Sequence, residues 1–403
     1  MSKINIVAVF LVAALVFSPP STARYAAIVI DGDTGKVIHE NEATQRWYPA
    51  SLTKVLTIYL TFCALKSGEL HLHDQLITSK HAAMQPRSKL GLLPGQHISV
   101  EHAIMAVTTR SANDAAVILA ERLGGTEAEF AKMMTHKARQ IGMISSSFEN
   151  ASGLPNEGQI SSARDLALLS LNLINDFPEY YHYFSLTEFN YHGQLLSNTN
   201  RILRSYPDAD GMKTGFTCGS GFNLIASAKR NGHRVIGVLL GARSSAERFE
   251  QMENLLDLGF AKSGNLDRDL HVAALKTADF SPPPFQLSSN RCAGSAALMG
   301  AEPEYGHHQP IRIGDAQARL VNLQESSSAL KKSHKRHKHH ATQASSPVKA
   351  VRSHTVLAPA VKPISVKASI HSASCHAPAK CADKKQHRNN QSIKPAALRQ
   401  PHP

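Results

Sequence analysis

Phe222-Asn-Leu-Ile-Ala-Ser-Ala-Lys229, Arg230-Asn231-Gly232 and His233-Arg-Val-Ile-Gly-Val-Leu-Leu-Gly241 follow one another and decide the fold. Two apolar runs flank an Asn-Gly pair, and that pair's readiness to take positive φ at both central positions predicts a tight β-hairpin. Lys213-Thr214-Gly215 precedes the first of these strands, and Ser244 to Leu258 follows the second with helical spacing and a Ser-Ser start that offers an N-cap. At the other end of the chain, Tyr25 to Ile30 and Lys36 to Glu40 flank Asp31-Gly-Asp-Thr-Gly35 and read as a second hairpin. Between the hairpins, apolar spacing predicts helices from Ser51 to Ser67, Val100 to Thr109, Ala112 to Leu123, Glu127 to Ile141 and Ala163 to Leu173. Strands at both ends with helices between them predict an α+β domain: one antiparallel sheet built from both ends, with a helical insertion beside it.

The chain has 403 residues, 42% of them hydrophobic, enough to bury a sizeable core. Its formal charge of +13 is unevenly placed. Residues 326–403 hold 15 Lys and Arg against one acid, Asp383, whereas the preceding residues hold 29 basic and 30 acidic groups. The body is therefore nearly neutral, which argues against a nucleic-acid partner. Past Ser263 the pattern decays into Ser281-Pro-Pro-Pro284, then Leu330-Lys-Lys-Ser-His-Lys-Arg-His-Lys-His-His340, and a core cannot be built from such sequence. We divide the chain into a signal peptide (1–23), a catalytic domain (24–263), a linker (264–325) and a disordered basic tail (326–403).

Lys3, an apolar run from Ile6 to Phe17, and small residues at Ser21 and Ala23 are the marks of a secretory signal peptide cut before Arg24, with an uncleaved anchor as the alternative. No later stretch is long and apolar enough to span a bilayer. Export places Cys63, Cys218, Cys292, Cys375 and Cys381 where disulfides are permitted, and their odd number leaves a thiol over or pairs it between chains. Cys63 sits in a helical apolar pattern and is expected to be a small buried hydrophobe. Cys375-His376 with Cys381 lacks a zinc spacing, and the His334 to His340 run belongs to a flexible tract, so no metal or other cofactor is expected.

Three short motifs carry chemistry. Ser51-Leu52-Thr53-Lys54 puts a hydroxyl and an amine three residues apart, neighbours on one face if Ser51 opens a helix. A helix N-terminus would also offer unpaired N–H groups to an oxyanion near Ser51, and burial together with Lys213 would lower the pKa of Lys54 so that it acts as a base. Ser111-Ala112-Asn113 offers a proton-relaying hydroxyl and an amide able to hold a peptide group. Lys213-Thr214-Gly215, with Thr217, joins close backbone approach to a fixed cation and two hydroxyls, a set suited to a carboxylate. Taken singly, these motifs read equally well as a capped helix, a helix cap and a polar turn entering a sheet.

Together they resemble the serine D-alanyl-D-alanine carboxypeptidases, the low-molecular-mass penicillin-binding proteins. Tyr48-Pro-Ala-Ser-Leu-Thr-Lys54, Asn150-Ala-Ser-Gly-Leu-Pro155, Ser161-Ser-Ala-Arg-Asp165, Ser197-Asn-Thr-Asn-Arg201 and Asp210-Gly-Met-Lys-Thr-Gly-Phe-Thr217 follow the family's order from about Arg24 to Gly259. The resemblance implies a β-lactamase/transpeptidase-like fold and an acyl-enzyme on Ser51 formed from the D-Ala-D-Ala end of a peptidoglycan stem peptide, with β-lactams as covalent inhibitors. It implies that Lys54 is the base, that Ser111 and Asn113 are the relay and the substrate anchor, and that Lys213, Thr214, Gly215 and Thr217 form the carboxylate site. The backbone N–H groups of Ser51 and Phe216 would make the oxyanion hole. Some relatives have His where this chain has Phe216, which leaves a backbone donor intact.

The second β-domain and C-terminal amphipathic helix of several relatives are not expected here. A class A β-lactamase would share Ser51 and Lys54, but it carries Ser-Asp-Asn and a deacylating Glu, where this chain has Ser-Ala-Asn and no Glu-x-x-Leu-Asn-like segment between Asn150 and Leu196. A non-catalytic wall-binding scaffold is disfavoured by the complete motifs. The expected location is exported, periplasmic or extracytoplasmic. The tail is either a contact for anionic wall polymers or lipid headgroups, or a solvated linker.

Overall fold

The structure, a computed structural model, describes residues 25–263 and 269–276. The segment read as a signal peptide, the basic tail with its His run, and Cys292, Cys375 and Cys381 lie outside the described residues. Strands β1 (Ala26–Asp31) and β2 (Val37–Asn41) form the expected N-terminal hairpin, and β7 (Ala209–Thr217), β8 (Gly221–Arg230) and β9 (His233–Ala242) meander at the other end of the domain. They join in one antiparallel sheet of order β2-β1-β9-β8-β7, in which β1 pairs with β9 from Ala26↔Leu240 to Asp31↔Val235. The sheet is thus built from both ends of the domain.

Strand alternation sends side chains to two faces, and both faces are buried. Ala26, Ile28 and Ile30 of β1 and Ile236, Val238 and Leu240 of β9 enter one core; Ala27, Val29, Val235 and Leu239 enter the other. Covering each large apolar side chain contributes about 1.5–3 kcal/mol. The second core is closed by α8 (Ser245–Lys262), whose N-cap Ser244 accepts the N–H of Glu247 as its sequence suggests. The first is closed by the helical insertion: α1 (Lys54–Ser67), α2 (Lys80–Ala83), α3 (Val100–Arg110), α4 (Asn113–Gly124), α5 (Glu127–Gln140) and α6 (Ala163–Asp176). Every residue of α1 from Lys54 to Leu65 is buried, so this helix is the axis around which α3 to α6 pack. Cys63 lies buried within it, as expected, in no disulfide, and Cys218 is half-exposed.

Two short two-stranded sheets, β3 (Gln75–Ile77) with β4 (His97–Ser99) and β5 (Glu188–Tyr191) with β6 (Gln194–Ser197), and the single-turn helix α7 (Ile202–Ser205) complete the body. The segment read as linker returns to this body at residues 269–276. Val37 N donates to Leu270 O at 2.8 Å, Val272 N to Gly35 O at 2.9 Å, and the Val272 side chain is fully buried. Buried Arg164 reaches over from α6 to donate to Val272 O at 3.1 Å and Ala273 O at 2.6 Å, while Asp165 balances its charge at 2.7 Å. No helix among the described residues is long and apolar enough to cross a membrane.

Candidate active site

The site is assembled where the chain leaves the N-terminal hairpin and enters α1. Trp47, fully buried, donates from Nε1 to Ser220 O at 2.8 Å, and Asn223 of β8 donates from Nδ2 to Tyr48 O and Pro49 O at 3.1 and 3.3 Å. Asn223 also accepts the N–H of Gly241 at 3.0 Å, so one buried amide ties the approach to Ser51 to two strands. The chain then makes a 3-10 turn from Ala50 to Thr53 before the α-helix starts at Lys54. The expectation that Ser51 opens the α-helix is corrected here, and the correction matters. In a 3-10 turn residues i and i+3 eclipse, which stacks Ser51 and Lys54 and leaves Lys54 Nζ donating to Ser51 Oγ at 2.9 Å. The hydroxyl caps no helix end, so the bland reading of Ser51 as an N-cap does not hold.

Lys54 is completely buried. Burial first, and Lys213 second, hold its amine well below the ordinary lysine range, while Glu127 and Asp114 pull the other way. Its other partner is the carbonyl of Ser152, at 2.5 Å. That carbonyl is presented by a loop folded around Asn150, whose Oδ1 accepts the N–H groups of Ser152, Gly153 and Leu154 at 3.2, 2.8 and 3.1 Å.

Ser111 and Asn113 fall at the ends of two different helices. Ser111 ends α3 in the left-handed region at φ 57°, Ala112 is extended, and Asn113 begins α4. The reversal is what turns two helices toward one point. Ser111 Oγ is buried without a partner among the described residues. Asn113 donates from its backbone to Ser88 O at 2.7 Å and from Nδ2 to Pro86 O at 2.9 Å. The charge of the next residue, Asp114, is felt at Lys54, which sets the start of α4 near the same amine.

Lys213, Thr214 and Gly215 lie inside β7 rather than in a turn ahead of a strand. β7 is an edge strand, paired on one side with β8. A Cβ at Gly215 would stand 3.1 Å from both Ser51 N and Pro49 O, so β7 runs directly against the 3-10 turn. Lys213 is buried and donates to Thr214 O at 3.0 Å. Thr217 N donates to Ser220 Oγ at 3.0 Å and Ser220 N to Thr217 Oγ1 at 3.1 Å, which shapes the turn into β8. The Phe216 ring stacks on Phe222 with centroids 4.1 Å apart.

Four contributors lay beyond the motif reading: Ser152, Asn223, Glu127 and Asp114. Of these only the Ser152 loop carried a local signal, an Asn three residues before a Gly, which favours a side-chain-capped turn. Among the described residues, Asp31, Asp33 and His233 gather three potential metal-ligating atoms within 4.8 Å, at the other end of β9 from Gly241. These groups already engage one another, His233 Nδ1 lying 3.0 Å from Asp33 Oδ2, and they take no part in the Ser51 site.

A serine beside a buried amine of lowered pKa, against an edge strand bearing Lys-Thr-Gly, is an arrangement chemically suited to serine acyl transfer. The D-alanyl-D-alanine carboxypeptidase family model matches residues 14–244. The chain is 38% identical over 248 residues to D-alanyl-D-alanine carboxypeptidase DacF of Bacillus subtilis, covering 59% of this chain and 62% of that one. It is 39% identical to DacC of Escherichia coli, covering 60% and 62%. Penicillin-binding protein 5 from Haemophilus influenzae superposes with a TM-score of 0.58 at 34% identity, over 60% of this chain and 72% of that one. Penicillin-binding protein D2 from Listeria monocytogenes, solved in a cefotaxime-bound form, superposes at 0.54 with 35% identity, over 58% and 96%. The chain belongs to the D-alanyl-D-alanine carboxypeptidase family and has its transpeptidase-like fold. It spans about 62% of the length of the two curated relatives.

Proposed function

We propose that this protein is a serine-type D-Ala-D-Ala carboxypeptidase that removes the terminal D-alanine from peptidoglycan stem peptides and is acylated by β-lactams at the same serine. The observation that carries the reading is the 2.9 Å contact between Ser51 Oγ and an amine that burial keeps well below the ordinary lysine range. Neutral Lys54 takes the proton of Ser51 as Oγ attacks the carbonyl carbon of the penultimate D-alanine. The oxyanion meets the N–H groups of Ser51 and Phe216. Collapse of the tetrahedral intermediate breaks the peptide bond, and Ser111 relays a proton from Lys54 to the leaving amine. Water then attacks the ester, giving a proton to Lys54, which returns it to Ser51 Oγ as the ester C–O bond breaks and the shortened peptide leaves as an acid.

Asn113 spends its amide N–H on Pro86, which leaves Oδ1 to accept a substrate N–H. Thr217 Oγ1 accepts from Ser220 N, which leaves its O–H to donate to the terminal carboxylate beside Thr214 and the charge of Lys213. Gly215 keeps β7 close to Ser51, and the free edge of β7 suits an extended peptide added as a further strand. Incubation with a peptide ending in D-Ala-D-Ala should release one D-alanine, and Ser51→Ala should abolish that release.

The same reading makes the protein exported, with residues 1–23 as its signal, residues 24–263 as the catalytic domain, 264–325 as a linker that returns a clasp at 269–276, and 326–403 as a separate tail. The tail's charge favours electrostatic contact with anionic wall polymers or a membrane surface, against a solvated linker as the alternative. Retention on isolated walls that falls steeply with salt, and vanishes on removal of residues 326–403, supports contact; retention unaffected by either supports the linker.

A further inference from the structure

Glu127 is the first residue of α5, and its hydrogen bonds lead toward Lys54. Its Oε1 accepts the N–H of Ala151 at 3.0 Å. The carbonyl of Ala151 is held from the other side by Thr57 Oγ1 at 2.7 Å, and the following carbonyl, that of Ser152, accepts from Lys54 Nζ. The second carboxylate oxygen lies 2.6 Å from His81 Nε2 on α2, and only 13% of the Glu127 side chain is exposed. One carboxylate therefore joins α2, the start of α5 and the loop that receives the lysine.

We propose that Glu127 is a positioning residue for acyl transfer: through Ala151 it fixes the Ser152 carbonyl against Lys54, and its charge raises the pH at which Lys54 becomes a base. This deepens the functional reading above and rests on Lys54 being that base. An acceptor for one backbone N–H need not be charged, and a neutral side chain would avoid the cost of shielding a carboxylate from water. The charge finds its use at Lys54. The groups facing that amine are Lys213 from β7, which favours its neutral form, and Glu127 from α5 with Asp114 from α4, which favour the protonated one. The titratable group facing Glu127 is His81 from α2, with Gln85 3.4 Å from the same ring nitrogen.

The test is the rate of acylation of the full-length protein by a fluorescent penicillin, followed against pH for the wild type, Glu127→Gln and Glu127→Ala, with a thermal melt of each. Glu127→Gln keeps an acceptor for Ala151 but removes the charge. Its plateau rate should stay within about threefold of the wild type, while the acid limb moves to lower pH, because loss of a negative charge makes Lys54 easier to deprotonate. Glu127→Ala removes both functions and should move the limb the same way while lowering the plateau by about tenfold or more, since small displacements of a reacting group are costly. A purely structural residue would lower the melting temperature without moving the limb. An acid limb that stays in place in both folded variants overturns the inference while leaving the base assignment intact; a wild type that fails to react with penicillin overturns the functional reading itself.

Discussion

Gly153 lies against Ala50, backbone to backbone: a Cβ at Gly153 would stand 1.9 Å from the carbonyl oxygen of Ala50 and 2.9 Å from Ser51 N. Gly153 has φ 86°, in the left-handed region that side chains resist. The loop that presents Ser152 to Lys54 is thereby wedged against the turn that presents Ser51. Gly153→Ala should cost about 2–4 kcal/mol, from the strained φ and the enforced shift together, and should slow penicillin acylation by about tenfold or more. Denaturant melts and the rate of adduct formation measure the two effects.

Lys213 is expected to act twice, as the cation that meets a terminal carboxylate and as the charge that helps keep Lys54 neutral. The folded pKa of Lys54 lies below its unfolded value, and Lys213 is the second cause of that depression. Lys213→Gln removes a neighbouring positive charge, so the Lys54 pKa rises and the acid limb of acylation moves to higher pH. This is the opposite direction to Glu127→Gln. Peptides with a free terminal carboxylate should lose about tenfold more in kcat/KM than their amides. Equal losses on the two substrates would leave Lys213 with the electrostatic role alone.

Residues 269–276 clasp the body, and their removal should be felt. A chain ending at Ser263 deprives buried Arg164 of the carbonyls of Val272 and Ala273 and empties the pocket of the Val272 side chain. Unpartnered charged donors and lost apolar burial together amount to about 3 kcal/mol, equivalent to about 5–10 °C in melting temperature for a domain of this size. A chain ending at Lys276 should melt close to the full-length protein. Thermal unfolding of the two truncations gives the comparison.

Asp114 is fully buried and accepts four backbone N–H groups, those of Leu90, Gly91, Leu92 and Ala115, at 2.9–3.2 Å. It pins the segment before β4 onto the start of α4, beside Asn113. Asn at this position has one acceptor oxygen and would turn an NH2 group toward backbone donors. Asp114→Asn should cost about 1–3 kcal/mol, raise KM for the peptide, and expose residues 85–93 to limited proteolysis. An unaltered cleavage pattern would mean that other contacts hold this segment.

The sheet was legible because its strands announce themselves locally: an Asn-Gly turn between Arg230 and His233, a Gly/Asp turn between Ile30 and Lys36, and strand-like runs on both sides of each. The long helices were legible from spacing and from caps such as Ser244. β7 was not, because an edge strand built of Asp210-Gly-Met-Lys-Thr-Gly has neither alternation nor an apolar run, and its pairing with β8 is decided across the sheet. The β3–β4 pair and the β5–β6 hairpin were not legible because strands of three and four residues are too short to establish a period.

At the site, residue types and order pointed to Ser51, Lys54, Ser111, Asn113 and Lys213, while the geometry that links them depends on contacts distant in sequence. Ser152 meets Lys54 across 98 residues and Asn223 holds Tyr48 across 175. The left-handed turn at Ser111 and the 3-10 turn at Ser51 are conformations that helical periodicity does not reveal. The packed clasp at 269–276 was not legible because eight residues with one fully buried side chain, Val272, are too short a run to show a period.

The central claim is that Ser51, activated by Lys54, is the group acylated. Intact-mass analysis of the full-length protein after incubation with penicillin, followed by peptide mapping, tests it directly. The account predicts one added penicillin on the peptide that contains Ser51 in the wild type, no adduct in Ser51→Ala, and a melting temperature for that variant close to the wild type because a single hydroxyl is lost. An adduct that persists in folded Ser51→Ala, or that maps to another residue, would contradict it.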